Sequence, residues 1–575
     1  MPNPPITESI ARFVNEAELG ASADALFERA VEGFVDTVAV SIAARGEPAV
    51  IAATTALERE LRSGESTVLA TGGRASEAYA ALLNGVASHA LDLDDVADAI
   101  YGHPSAALFP ALLAVAESER ASGRALLDAY AVGFQVLVAI AAGLPIRPHY
   151  SRGWHSTATV GVIGATAGLC RLLELPLLEV RHALGMAASM AAGSRQNFGT
   201  MTKPLHPGLA ARSAITAARL AQSGFTADGS QLEGELGYFA MFGVDGDLER
   251  VLAALNTPWA LVEQGLNVKK YPCCYNTHRT ADAALALASR VDAGAVDSVR
   301  LTMEPGGLDP LIHHRPTTGL EGKFSGEYVV AAGLIDGRVG LDSFSDDAVR
   351  RPGVQELLRR VEVVESPDPP FGDESYEFAY ATLEVHAGAD VQRERVDVPK
   401  GDARAPLGRD EIDEKMRDCA AHGGFDGDAD ALLAELRALP HTERLTGFAQ
   451  LGGAPALSGG PSVAGCRLRG GDRRRRSQRL PRALRGARGP ARRLHARGRR
   501  AVPCARGRRA AEGRRRRPDL LARGIRTIGQ RPRTAPPALR PRSRGLRADE
   551  RCGAGGGGRA RRHRHGGRRR LHLRQ

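Results

Sequence analysis

Up to about residue 265 the apolar positions recur at helical intervals. Spans 25–44, 108–121, 126–144 and 209–222 are alanine-rich, with large apolar residues three and four apart, which predicts helices with one buried face. Gly161, Gly164, Ala165, Ala167 and Gly168 place small residues at close helical spacing, so neighbouring helices can approach closely there. The longest apolar run, 129–144, is shorter than a bilayer span and is interrupted by Gln135; it reads as a buried helix rather than a membrane crossing.

The period then changes. Val299, Leu301 and Met303 alternate with polar residues, as do Ala379, Ala381, Leu383 and Val385, which is the signature of half-buried strands. Between them, 328–335 has a helical pattern that ends at Asp336-Gly337, and 411–439 returns to helix. The expected fold is mostly α: a helical domain over 1–265, an inserted α+β lid over 266–400, a return segment of the helical domain over 401–455, and a tail over 456–575.

Charge separates the tail from the rest. Residues 456–575 hold 39 arginines, no lysine and 5 acids, whereas the remainder holds 38 basic and 61 acidic residues. The formal net charge of +11 therefore describes the tail, and the folded part is acidic. The tail also lacks Asn, Met, Phe, Tyr and Trp; with so little apolar bulk it cannot offset its conformational entropy, so disorder is expected. An arginine-rich arm could bind nucleic acid. The composition fits translation in the wrong frame better, since the missing residues mostly need A/T-rich codons and the abundant ones G/C-rich codons.

The seven cysteines, Cys170, Cys273, Cys274, Cys419, Cys466, Cys504 and Cys552, form neither a metal-like spacing nor a disulfide framework. With no basic region followed by an apolar segment at the start, a cytoplasmic location is expected. The vicinal Cys273-Cys274 pair is expected to pack rather than react, because nothing nearby in sequence marks a lowered pKa.

Candidate chemistry begins at residues 89–105. Four carboxylates (Asp92, Asp94, Asp95, Asp98) and two histidines (His89, His103) are interleaved with Leu91, Leu93 and Val96 in a stretch otherwise suited to burial. Buried charge is costly unless it is partnered or performs chemistry. Four further motifs follow: Trp154-His155-Ser156-Thr157-Ala158-Thr159, the segment Phe198 to Gly208 that contains Lys203-Pro204-Leu205-His206-Pro207, the segment Lys269-Lys270-Tyr271-Pro272-Cys273-Cys274-Tyr275-Asn276-Thr277-His278, and Lys323-Phe324-Ser325-Gly326-Glu327-Tyr328.

In order and spacing, these five motifs over roughly residues 5–450 resemble the MmgE/PrpD family. That family includes 2-methylcitrate dehydratases, cis-aconitate decarboxylases and iminodisuccinate epimerases. The resemblance implies a discontinuous helical domain with an α+β lid, a site in the cleft between them, and a homodimer formed through the helical part. It also implies a lyase that needs no cofactor and acts on a small di- or tricarboxylate, with dehydration as the leading reaction and decarboxylation or epimerisation as alternatives.

Each of those reactions creates or traps negative charge at a carbon beside a carboxylate, so it needs cations for the carboxylates and a group that moves a proton. Side chains can supply both without a metal. His103 is the leading proton carrier, with Asp92 to orient or charge-stabilise its ring. His155, near an expected helix start with Ser156 and Thr157, offers an anion site, and Tyr328 is matched to a lid tyrosine that donates or relays a proton. Lys203 and Lys269, each close before a proline, are expected in fixed turns as carboxylate anchors; His278 and Arg195 are further candidates. Plainer roles remain for all of them: helix capping for the aspartates, a turn contact for His103, N-capping for Ser156, core packing for Tyr328 and a surface place for the lysines. Asp94 and Asp95 stand between these two readings. Asp98 and His89 are expected to be structural and Lys270 solvent-facing. Relatives commonly carry a hydroxyl residue where this chain has Val96, which puts direct transfer of any one substrate in doubt. A magnesium site at Asp92, Asp94 and Asp95 is a separate possibility, although a second aspartate cluster to complete a diphosphate site is absent.

Overall fold

Helices fill the first part of the chain in the computed structural model, which describes residues 5–243 and 246–451. The segment 456–575, and with it the expected disorder of the tail, lies outside the described residues. Three of the expected helices are Ala23–Ala43, Pro104–Ser118 and Gly123–Gly143. Pro104 opens its helix, where its missing N–H is one the helix could not have satisfied anyway. Ser122 caps the next by accepting from the Ala125 N–H at 3.1 Å. Gly123–Gly143 is longer than its apolar run suggests, and by length and composition it could cross a membrane; 83% of its most apolar window is buried inside the protein, as in a core helix.

The fourth helix is Thr202–Gln222, which begins well before residue 209 and takes Lys203-Pro204 into its first turn. Both prolines are accommodated near the start: Pro204 stands where no intrahelical donor is needed, and Pro207 forgoes only the bond to the Lys203 carbonyl. This helix packs against Glu77–Ala90 so closely that a Cβ on Gly85 would lie 2.5 Å from the Gly208 Cα. One turn along that antiparallel contact, His89 meets Lys203.

A hairpin of β1 (Leu61–Val68) and β2 (Gly73–Ala75) interrupts the helical part. Its sequence is mostly polar, so no apolar alternation announced it. The α+β part holds a four-stranded sheet with β3 (Ser298–Met303), β4 (Val361–Glu365), β5 (Ala381–Ala387) and β6 (Asp390–Val396), in the order β4-β3-β5-β6. β3 runs parallel to β4 and antiparallel to β5, and Leu301 stands opposite both Val363 and Leu383. The helices His278–Ala288 and Gly326–Asp336 belong to this part; the second ends at Gly337 with φ of 62°, a left-handed cap that suits glycine.

Two apolar cores result. One joins the early helices to Ile412, Met416, Leu432, Leu436 and Leu451, so the chain returns to the first core after the insert. The other gathers residues from Tyr271 to Val385 with Tyr150 and Phe198. The return segment is two helices rather than one, Arg409–His422 and Ala429–Arg437, broken at Gly423-Gly424.

Candidate active site

The loop after Glu77–Ala90 carries the acidic motif and is pinned on several sides. Val96 and Asn267 exchange backbone hydrogen bonds at 2.9 Å, and the Ala97 N–H donates to the Gly102 carbonyl. Asp92 and Tyr101 both have positive φ, 53° and 50°, a conformation that costs energy outside glycine and that a bulky tyrosine seldom adopts. Around these turns Asp92, Asp94, Asp95 and His103 are buried, whereas Asp98 faces outward.

Asp92 is the hub. Its Oδ1 accepts from Lys269 Nζ at 2.7 Å and from Lys203 Nζ at 3.1 Å, and Lys269 also donates to the Asp92 backbone carbonyl at 2.8 Å. Burial pushes the Asp92 carboxyl up, but Lys203 and Lys269 outweigh it and hold the group well below the usual carboxylate range. Asp94 bridges two imidazoles, with Oδ2 2.8 Å from His89 Nδ1 and 3.2 Å from His103 Nδ1. Lys203 Nζ lies 2.7 Å from His89 Nε2. A charged ammonium only donates, so His89 is neutral with its proton on Nδ1, facing Asp94. Burial pushes that imidazole down to about 3.

His103 stands at the edge of this cluster. Nε2 is 3.7 Å from Asp92 Oδ1, and the ring packs edge-on against His89. Its backbone N–H donates to Thr157 Oγ1 at 3.0 Å, while Ser156 Oγ donates to the Tyr101 carbonyl at 2.7 Å. These hydroxyls therefore hold the His103 turn instead of an anion. Gly102 permits the approach, since a Cβ there would lie 2.9 Å from Thr157 Oγ1. Burial lowers the His103 pKa, with Asp94 pulling the other way.

A cavity of about 650 Å³ opens on the far side of His103, lined among others by Val96, Tyr101, Tyr150, Cys274 and Arg279. Of the cluster, His103 alone is among its lining residues; Asp92, Lys203 and Lys269 stand behind the ring.

The other expected residues occupy different places. His155 stacks on His89, and its Nδ1 is 3.0 Å from His206 Nδ1, with burial holding it well below its ordinary value. His278 donates from Nε2 to the Tyr271 carbonyl at 3.1 Å and is held neutral by burial, close to Lys269. Arg195 lies over the Tyr150 ring at 3.7 Å and donates to the carbonyls of Tyr150 and Asp309, a strap across the two cores rather than a member of the cluster. Tyr328 donates its phenol to the Ser343 carbonyl and packs against Phe344, outside both cluster and cavity. The expected fixed turn is a helix start for Lys203, while Lys269 lies fully buried in an irregular segment.

Sequence reasoning missed four participants. His89, expected to be structural, is central. Lys323 donates to the carbonyls of Leu91 and Pro272 at 2.7 and 2.9 Å, tying the α+β part to the acidic loop. Lys415, from the return segment, donates to the carbonyls of Leu93 and Lys269 and pairs with Asp36 at 2.5 Å. His206 backs His155 and was visible only as part of a longer motif. Asp95 turns away to accept from the Ser105 N–H at 3.2 Å, so it caps Pro104–Ser118 and does not join Asp92 and Asp94. Burial pushes the Cys273 and Cys274 thiols up to about 12 and about 11, which leaves them unreactive as nucleophiles near neutral pH.

His89, Asp92, Asp94 and His103 bring one potential metal-ligand atom each within 4.8 Å of one another. The set fits a cation poorly, because Asp92 already carries two ammonium groups and the free lone pair of His89 is taken by Lys203. These lysines supply the positive charge that a metal would bring.

Residues 8–250 match the MmgE/PrpD N-terminal domain and residues 271–438 the MmgE/PrpD C-terminal domain. The chain is 30% identical over 425 residues to cis-aconitate decarboxylase of Homo sapiens, covering 72% of this chain and 87% of the relative. It is 28% identical over 424 residues to the Mus musculus cis-aconitate decarboxylase, covering 72% and 86%. To the cis-aconitate decarboxylase-like protein oryM of Aspergillus oryzae it is 27% identical over 444 residues, covering 72% and 90%. The chain belongs to the MmgE/PrpD family.

Proposed function

We propose that this chain is a lyase that releases carbon dioxide from an unsaturated polycarboxylate of the cis-aconitate type. The carrying observation is the position of His103, a buried imidazole on the cavity wall with two carboxylates and two ammonium groups behind it. The similarity to relatives named as decarboxylases moves the preference from dehydration to loss of carbon dioxide.

The chemistry asks for this layout. When a carboxylate leaves as carbon dioxide from the carbon next to a double bond, its bonding pair forms a new double bond to the adjacent carbon, and the original π pair moves to the far carbon and onto the carboxylate it carries. The far carbon then takes a proton. Negative charge grows on a carboxylate during the step, and fixed cations in a dry site lower its energy most. Lys203 and Lys269 have each spent two N–H groups inside the protein, so their charge is already aimed before substrate arrives. His103 delivers the proton. Burial lowers the pKa of its ring, and a polycarboxylate laid against it raises that pKa again, so binding itself favours loading of the proton.

The test is product analysis with the full-length chain and uniformly carbon-13-labelled cis-aconitate. Labelled carbon dioxide and an acid shorter by one carbon support the proposal. Addition of water, or deuterium exchange without carbon loss, would assign the site to another reaction.

A further inference from the structure

The cavity beyond His103 has features that the proton-transfer cluster does not use. At about 650 Å³ it lies within the range that holds drug-sized ligands, more room than a small triacid fills. Its lining includes the apolar Val96, Ala97, Ala99 and Ile146, and no hydroxyl is offered at position 96. Arg279, the second residue of the helix His278–Ala288, also belongs to the lining.

Arg279 is 5% exposed. An arginine so buried is ordinarily paired. Its Nε donates to the Asp397 carbonyl at 2.8 Å and its guanidinium lies 6.0 Å from the Tyr275 ring, but among the described residues no carboxylate stands in ion-pair range of it. The two Nη groups have no hydrogen-bond partner there. By contrast Arg404, also in the lining, is spent on Asp402 at 2.7 and 2.8 Å, and Arg147 is exposed and leans on the Pro305 carbonyl.

Carboxyls also face this space. Asp98 accepts from Asn267 Nδ2 at 3.0 Å, and Glu304 accepts from the Tyr380 N–H at 3.3 Å. Asp98 is exposed to solvent and Glu304 is buried; desolvation pushes both carboxyls up from the usual range, while the charge of Arg279 pulls both back down without a direct contact.

Building on the lyase reading, we propose that the substrate is an extended acid: its reacting end lies at His103, an apolar stretch runs past Val96 and Ala97, and a distal carboxylate is held by the Arg279 guanidinium. The planar fork of arginine suits a carboxylate held through two parallel hydrogen bonds.

The test is calorimetric binding to the full-length chain, which does not require turnover. The probes are propane-1,2,3-tricarboxylate and homologues whose terminal carboxylate is carried on one, two or three further methylene groups, each also made with that terminus as a carboxamide and as an ammonium. One extended carboxylate should bind roughly 10- to 100-fold more tightly than its own carboxamide. That ratio should collapse towards one in Arg279→Gln and survive in part in Arg279→Lys. A merely structural arginine would weaken carboxylate and carboxamide alike. Equal binding of the two by the unmodified chain, a preference for the ammonium probe, or failure of every probe to bind would overturn the proposal, whatever the variants do. Because no reaction is read, these outcomes stay distinct from failure of the lyase reading, which is judged by carbon dioxide release.

Discussion

His89 Nε2 accepts a hydrogen bond from the Lys203 ammonium at 2.7 Å, and through that bond each group fixes the state of the other. The lysine cannot accept, so the imidazole must present its lone pair and turn its proton to Asp94. Asp94 in turn reaches His103. A polar relay thus runs from a helix start, through the end of a second helix, to the residue on the cavity wall, with its polarity fixed as far as Asp94 and its last step the 3.2 Å contact between Asp94 and His103.

Breaking this relay should impair the chemistry. His89→Phe removes one of the two acceptors of Lys203 and the closest donor to Asp94, leaving Lys203 with Asp92 alone and Asp94 with His103 alone in a buried site. Turnover is expected to fall roughly 10- to 100-fold and the melting temperature to drop. Steady-state kinetics beside calorimetric melting checks both; unchanged turnover in a folded variant would show that the relay does not serve His103.

Acid should destabilise the fold in a defined window. Burial holds His89 down to about 3 and His206 to about 4, against an ordinary value of 6.5. Below about pH 6.5 the unfolded chain takes up protons that the folded chain declines, so stability is fully present above that pH and falls as pH drops towards 4. Asp92, held well below 3.8, adds a further loss only in stronger acid. The melting temperature should fall by on the order of several degrees between pH 7 and pH 5. His206→Gln should reduce that slope.

Tyr328→Phe should leave turnover within roughly threefold of the parent, because its phenol is committed to the Ser343 carbonyl. A small loss of stability, on the order of 1 kcal/mol for one hydrogen bond, is expected from denaturant unfolding. A turnover loss of two orders of magnitude would restore the proton-relay role that the sequence suggests.

Chelation should not abolish activity. The cations that face Asp92 are Lys203 and Lys269, and neither leaves on treatment with EDTA. Loss of turnover after EDTA, restored by a divalent ion, would give the role to a metal instead.

Periodicity made the helices readable because each buries one face, and the strand pair at Leu301 and Leu383 for the same reason. The hairpin at Leu61–Val68 was invisible because its residues are mostly polar. Asp92, His103, Lys203 and Lys269 could be named from motifs, but their mutual contacts depend on a glycine-to-glycine helix crossing that no single segment encodes. His89 looked structural because it ends an ordinary alanine-rich helix. Lys323 and Lys415 act on backbone carbonyls, and such contacts leave no trace in residue pattern. Tyr328 shows the converse: a motif position that the fold spends on its own core.

In the proposed reaction His103 delivers the proton that replaces carbon dioxide. The decisive measurement is turnover of cis-aconitate, or of an extended homologue that binds, in deuterium oxide by the parent and by His103→Ala, with carbon dioxide and product deuterium counted together. One carbon dioxide and one deuterium per turnover are expected for the parent, and a rate lower by roughly two to four orders of magnitude for a His103→Ala variant that melts near the parent. Near-parent release of carbon dioxide by that variant, with deuterium still delivered to the same carbon, would contradict this role of His103.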